Sequence, residues 1–231
     1  MISSNPKKAD LGMDEDIDWD RILEDVPATP GWLRVDERED AIGAIEHAAD
    51  TVVTVTGKPL NWKWVIIATH NALQGALVCT LSGTAGVGAL SDKSMTKMLE
   101  WFEVMRARPK TPKPKERIAL PMELYERAKD EAYMGEFGGS PLRTTAEQDA
   151  DAERLNELRR AFMHFTPKGW SIEEAGLPRM VLNATDIIEQ LLLQHPANTV
   201  RLDDDQKGRV KTAIDQLRST LKQQVSGRAQ R

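Results

Sequence analysis

The sequence predicts an all-α fold, a bundle of about five to seven helices, on three observations. Apolar residues recur at three- and four-residue steps in segment after segment, the period of a single buried helical stripe. One long segment, Asn61 to Leu81, is apolar nearly all round and so belongs at the centre of a bundle. No series of alternating apolar and polar residues, no internal repeat and no heptad tract competes with that reading.

The chain opens on residues 1 to 30, an acidic arm. Asp10, Asp14, Glu15, Asp16, Asp18, Asp20, Glu24 and Asp25 dominate it before Pro27 and Pro30, a composition that favours a flexible segment. Within it, Ile17, Trp19, Ile22 and Leu23 would let a short amphipathic stretch dock on a basic surface. From Val35 to Val55, Ile42, Ile45, Ala49 and Val52 trace a helical face closed by Gly57 and Pro59. The central helix, Asn61 to Leu81, follows with Lys63, His70 and Gln74 as a narrow polar stripe and Gly75 permitting close packing. His70 is either a buried histidine satisfied by a neighbour or a support for a site on another helix. Gly83, Gly86 and Gly88 lie in LSGTAGVGAL, where no strand precedes and no Gly-Lys-Ser/Thr follows, so a flexible connection is expected rather than a phosphate loop.

Asp92 to Met105 sets Met95, Met98, Leu99 and Phe102 on one side and is expected to cover the core. RARPKTPKPKER then holds six basic residues, Arg106, Arg108, Lys110, Lys113, Lys115 and Arg117, with three prolines and one acid. That composition predicts an extended, solvated loop of positive potential, either a phosphate attractor or a soluble linker. Lacking aromatic residues, it would steer an RNA backbone rather than read bases. Helical pattern runs from Leu120 to Met134, lapses at Gly135, Gly138, Gly139 and Pro141, and returns around Thr145. A further helix spans about Pro178 to Gln194 and stops at His195-Pro196. Asp203, Asp204 and Asp205 open a last amphipathic helix bearing Val210, Ile214, Leu217 and Leu221, before a basic tail through Arg228 and Arg231. That helix either packs inward or pairs between subunits. The organisation is thus an arm at 1–30, a helical domain at 31–200 and a C-terminal helix with tail at 201–231.

At 231 residues and 40% hydrophobic, the chain can bury the core of one main domain with appendages. A formal net charge of -5 argues against broad, non-specific nucleic-acid binding and leaves room for a local basic cleft. The single cysteine, Cys79, forms no internal disulfide, and its neighbours Leu77, Val78 and Leu81 predict a buried thiol, consistent with a cytoplasmic protein. Met1 to Asp20 is too polar for a signal peptide, and Val65 to Leu81 is interrupted by His70, Asn71 and Gln74, so no membrane partner is expected. His47, His70, His164 and His195 lack the paired spacing of a zinc site, and no Gly-x-Ser-x-Gly elbow occurs. No cofactor is expected.

The segment from Leu155 to Met180, LNELRRAFMHFTPKGWSIEEAGLPRM, carries the chemistry. Leu155, Leu158, Phe162 and Phe165 mark its buried stripe, and Thr166-Pro167 stops the helix within a turn of His164. On a regular helix Arg160 and His164 lie about 40° apart, sharing a face with Asn156, while Arg159 lies about 140° from His164 beside the stripe. Two arginines therefore compete for one role. The bland alternative is that Arg160 and His164 form a solvated face and Arg159 lays its stem over the stripe.

With the upstream string WKWVIIATHNALQG, this segment resembles the HEPN superfamily of helical-bundle proteins, in a bacterial group with a HEPN-like core, over roughly residues 40 to 195. Catalytic HEPN proteins carry an arginine, a short spacer and a histidine. Arg159 and His164 fit that pattern, whereas Arg160 stands where Asn, Asp or His is usual. The resemblance implies a HEPN-like bundle, a homodimer with a shared site, and metal-independent endoribonuclease activity through attack of the RNA 2′-hydroxyl, in bacterial stress or phage defence. A cognate antitoxin or inhibitor protein would be a further partner. Arg159 or Arg160 would stabilise the scissile phosphate and His164 would transfer the proton, with Asn156 and His70 in support. An arginine forks onto phosphate oxygens, and an imidazole, with an unperturbed pKa of about 6.5, exchanges protons near neutrality. The competing readings are a non-catalytic HEPN-like RNA- or protein-binding module and a helical scaffold.

Overall fold

A computed structural model of the chain describes residues 35–135, 138–164 and 169–228, with backbone alone for 225–228. The acidic arm and Phe165, Thr166 and Pro167 lie outside the described residues. The first described helix, α1 (Glu37–Val52), starts where the Asp36 carboxylate accepts the N–H groups of Arg38 and Glu39, each at 2.9 Å. An acidic N-cap satisfies two of the amides that a helix start leaves unpaired. Ile42, Ile45, Ala49 and Val52 all face inward.

α2 (Trp62–Leu81) runs back against α1, and Gly75 explains how closely. A Cβ at Gly75 would stand 2.8 Å from the Cβ of Ala41, inside contact distance, so only glycine admits this approach. α2 has the length and composition of a membrane span, yet two-thirds of that stretch, 67%, is buried among the other helices. The Cys79 thiol is among the buried groups, and burial pushes its pKa up to about 12.

The glycine-rich connection leads to α3 (Asp92–Ala107), where the structure corrects the sequence reading. Among the described residues α3 does not cover the core: it buries only Ser94 and Met98 and makes no substantial contact with another described helix. The segment after it folds back on it instead. The Trp101 indole donates to the Thr111 carbonyl at 2.9 Å, the Arg117 N–H donates to Ser94 Oγ, and a lone antiparallel bridge joins Leu90 to Ile118. Arg106 still belongs to α3, against expectation; from Arg108 on, the basic segment is largely exposed and non-helical as expected, but pinned along α3 rather than free.

α4 (Pro121–Ala128) and α5 (Glu131–Met134) share the stretch read as one helix, which breaks at Lys129-Asp130. α6 (Ala146–Met163) opens on a capping box in which Thr145 and Gln148 satisfy each other's backbone amides. α7 (Leu177–Glu189) continues through a π-helical turn, Gln190–Gln194. His195 ends that turn and caps α8 (Pro196–Thr199), its Nδ1 accepting the Ala197 N–H at 3.2 Å.

α9 (Asp204–Arg228) begins with a second reciprocal cap, Asp203 with Gln206. It packs inward on α1 and α7, with Val210, Ile214, Leu217 and Leu221 buried. Residues 35–231 form one unit around α2, which meets α1, α4, α6 and α7. The protein is all-α, a helical bundle, as its periodicity predicts. Of the nine described helices, α5 and α8 are four-residue turns, which leaves seven longer ones.

Candidate functional site

α6 and α2 lie side by side, which divides the residues that the sequence grouped on one helical face. Asn156 is half-buried and turns to α2, where its Oδ1 lies 3.2 Å from His70 Nε2. Since Oδ1 can only accept, this contact calls for the tautomer with the proton on Nε2. His70 is 3% exposed, and its Nδ1 is buried with no hydrogen-bond partner. Burial and then the Arg159 guanidinium hold the imidazole below its ordinary pKa, against the Asn156 hydrogen bond, which works in the other direction. His70, Asn156 and Arg159 therefore form one cluster.

Arg160 and His164 lie apart from it. Both are exposed, and the His164 N–H donates to the Arg160 carbonyl at 2.9 Å as the helix ends. His164 leaves helical geometry at φ -113° and ψ 54°, so the angular spacing of a regular helix stops applying at this residue. Eight residues separate Asn156 from His164, about 12 Å of helix axis, so His70 stands beside Arg159 but well away from His164. The structure brings together His70, Asn156 and Arg159, and it leaves Arg160 and His164 together at the helix end.

A feature that the sequence reading did not identify adjoins this end. A cavity of about 630 Å³ opens between the start of α2 and the end of α6, lined by Leu60, Lys63, Trp64, Phe162, Trp170 and Ile172 among others. Phe162 and Trp170 pack with ring centroids 5.0 Å apart, and the Lys63 ammonium sits 4.8 Å from the centroid of the Trp64 ring. Around it, Leu60 is 77% exposed, Trp64 49% and Met163 52%. The signal was present in Trp62-Lys63-Trp64. Residues two apart on a helix point about 200° from each other, so a helix that buries Trp62 must turn Trp64 outward.

The charge pattern at this end is one-sided. Among the described residues, Arg159 and Arg160 have no carboxylate or hydrogen-bonding partner for their side chains, and Arg159 Nε is buried unpaired. Among the described residues, Lys63 makes its contact over the Trp64 ring and no ion pair. Elsewhere Arg38, Arg127, Arg179, Arg209 and Arg218 all reach carboxylates.

The basic segment is rooted elsewhere. Leu90 and Ile118 pair where the glycine-rich connection leaves the C-terminal end of α2, about 30 Å along that helix from Trp62. Two of its cations are paired locally, Arg106 with Glu103 and Lys113 with Glu116. No hydrogen bond or ion pair joins Arg106, Arg108, Lys110, Lys113, Lys115 or Arg117 to α6 among the described residues. Nor do three His, Cys, Asp or Glu side chains gather there into a metal-holding group.

Fold and site together define a helical-bundle protein with an aromatic cavity and unpaired cations at one end. No protein family, curated protein or solved structure matches the chain.

Proposed function

We propose that this chain is a HEPN-like, metal-independent endoribonuclease whose site lies at the C-terminal end of α6. The observation that carries the reading is the group of cations, Arg159, Arg160 and Lys63, that meet no acidic partner among the described residues, next to an exposed histidine, His164. Cations left unpaired are available to an anion, and phosphate oxygens suit guanidinium geometry. Cleavage would begin when the RNA 2′-hydroxyl attacks the adjacent phosphorus. His164 accepts the hydroxyl proton, the P–O5′ bond breaks, and the 5′-oxygen leaves with a proton from the same residue of a second copy. Arg160 holds the charge growing on the phosphate, and products end in 2′,3′-cyclic phosphate. Positioned acid–base help of this kind is commonly worth about 10² to 10⁴ in rate.

One observation favours the non-catalytic RNA-binding reading. Arg159 turns toward His70 while His164 faces solvent, so the two residues of the HEPN-like pattern do not converge within one chain. A homodimer that shares the site would supply the missing convergence.

The test is incubation of structured and single-stranded RNAs in EDTA with wild type and His164→Ala, followed by analysis of product size and 3′ ends. Cleavage by wild type alone, leaving cyclic phosphate, is expected. Retarded but uncut RNA, with a folded dimer, assigns the binding-module reading instead.

A further inference from the structure

We infer that the cavity between the start of α2 and the end of α6 seats an unpaired base of single-stranded RNA, stacked on Trp64. The inference rests on the RNA reading above and adds what the site recognises. Its volume of about 630 Å³ falls within the range of about 300 to 1,000 Å³ typical of small-ligand sites, and its walls supply flat rings from Trp64, Phe162 and Trp170.

Two independent features give the occupant its chemistry. Rings at the mouth stay open to solvent: Trp64 is half exposed, although burying an indole is among the larger hydrophobic gains available to a chain. Charge comes from Lys63 over the Trp64 ring and from the start of α2, whose first residues line the cavity. Asn61 stands in the capping position there, but its amide donates to Thr54 Oγ1 at 2.6 Å and caps nothing. A 3-10 turn, Pro59–Asn61, leads into α2 and takes the Trp62 N–H on its carbonyls, so what this end offers a negative group is the positive end of the helix dipole beside the cavity. Glu174 is the carboxylate among the described lining residues.

A plain apolar peptide would use the rings and leave the cations idle, and a free anion would do the reverse. A nucleotide uses both, because its base offers a π-face and its phosphate a charge. The strand must be single, since bases in an RNA duplex have their faces covered and their major-groove edges out of reach. With Lys63 on the Trp64 ring, a base stacking beside it brings its own phosphate toward the ammonium.

The experiment is fluorescence anisotropy with a labelled single-stranded RNA and with a ribose-phosphate oligomer of equal length lacking bases, both in EDTA. Wild type is compared with Trp64→Ala, Trp64→Phe and Arg160→Ala, with thermal unfolding as the folding control. Trp64→Ala should weaken RNA binding about tenfold and leave binding of the base-free oligomer unchanged, while Trp64→Phe keeps most of the affinity. Arg160→Ala should weaken both oligomers alike. If Trp64→Ala binds RNA as wild type does while Arg160→Ala is impaired, the base seat is overturned and the RNA reading stands. If wild type binds neither oligomer at low salt, the RNA reading fails and the inference with it. Loss of self-association or of acidic-peptide binding in Trp64→Ala, with RNA affinity intact, assigns the cavity to a protein contact and overturns the base seat.

Discussion

Along the flank where α9 packs on α1 and α7, Arg209 reaches Glu39 and Glu46, and Arg218 reaches Asp186 and Glu189. At the end of the bundle where α2 begins and α6 stops, Lys63, Arg159 and Arg160 reach no carboxylate among the described residues. The same residue type does different work in the two places. On the α9 flank, the hydrogen bonds that Arg209 donates to Glu46 and Glu39 raise its pKa, and those that Arg218 donates to Glu189 and Asp186 raise that of Arg218, so charge is committed to tying helices together. At the α2/α6 end, charge is left over among the described residues, and it sits beside exposed rings with Glu174 as the carboxylate lining the cavity. A cation already satisfied by a neighbour has little to offer a ligand; one that is not remains available.

The sharpest way to break this contrast is at the most buried of the paired arginines. Arg127 is 6% exposed and donates to the carbonyls of Gly88 and Leu90, to Asp92 and to Glu123. Replacing it with methionine strands those acceptors and should cost about 3 kcal/mol, read from the urea midpoint. An unchanged midpoint would mean that pairing is not structural here.

At the other end, the double change Arg159→Ala with Arg160→Ala should lower single-stranded RNA affinity at least about tenfold. The slope of log affinity against log salt should also flatten by about 1.4, two single-strand phosphate contacts. Arg160→Ala alone should shift stability by no more than about 0.5 kcal/mol, since an exposed, unpaired side chain holds nothing together. A large stability loss with unaltered RNA affinity would reverse the contrast.

Arg209→Ala gives a smaller effect, about 1 kcal/mol, because its side chain is 34% exposed and water screens the pair. High salt should shrink that loss, and equilibrium unfolding at two ionic strengths checks it.

The smallest effect is a pH dependence from His70. Its folded pKa lies below the unfolded value, so its contribution is complete above about pH 6.5 and declines as pH falls toward the folded pKa. His195, likewise buried and lowered, adds to the same window. His70→Asn should reduce, without abolishing, the loss of stability between neutral and mildly acidic pH.

Much of the helical layout was legible because local rules govern it. Helices were expected to start around Thr145 and at Asp203, and they do, each held by a reciprocal cap that the sequence reading had not named, Thr145 with Gln148 and Asp203 with Gln206. Gly75 was readable as a close approach because a helix interior rarely accepts glycine without a packing reason. α3 was misread for a related reason: its apolar stripe announces that a face must be covered but not by what, and among the described residues the chain's own segment through Thr111 and Arg117 is pinned along the helix while Leu99 stays 48% exposed. The aromatic cavity escaped because its described walls come from opposite parts of the sequence, Leu60 to Trp64 on one side and Phe162, Trp170 and Ile172 on the other. Asn156 was placed on the solvent face with Arg160 by helical angle alone, and its turn toward His70 follows from where α2 lies.

By itself the sequence determined the helices, their starts and most of their buried faces, because hydrophobic period, capping and glycine tolerance act over a turn or two of chain. Only the tertiary structure decided which cations found acids and which did not. Pairing depends on distances of a few ångströms between groups far apart in the chain, and no local spacing encodes them.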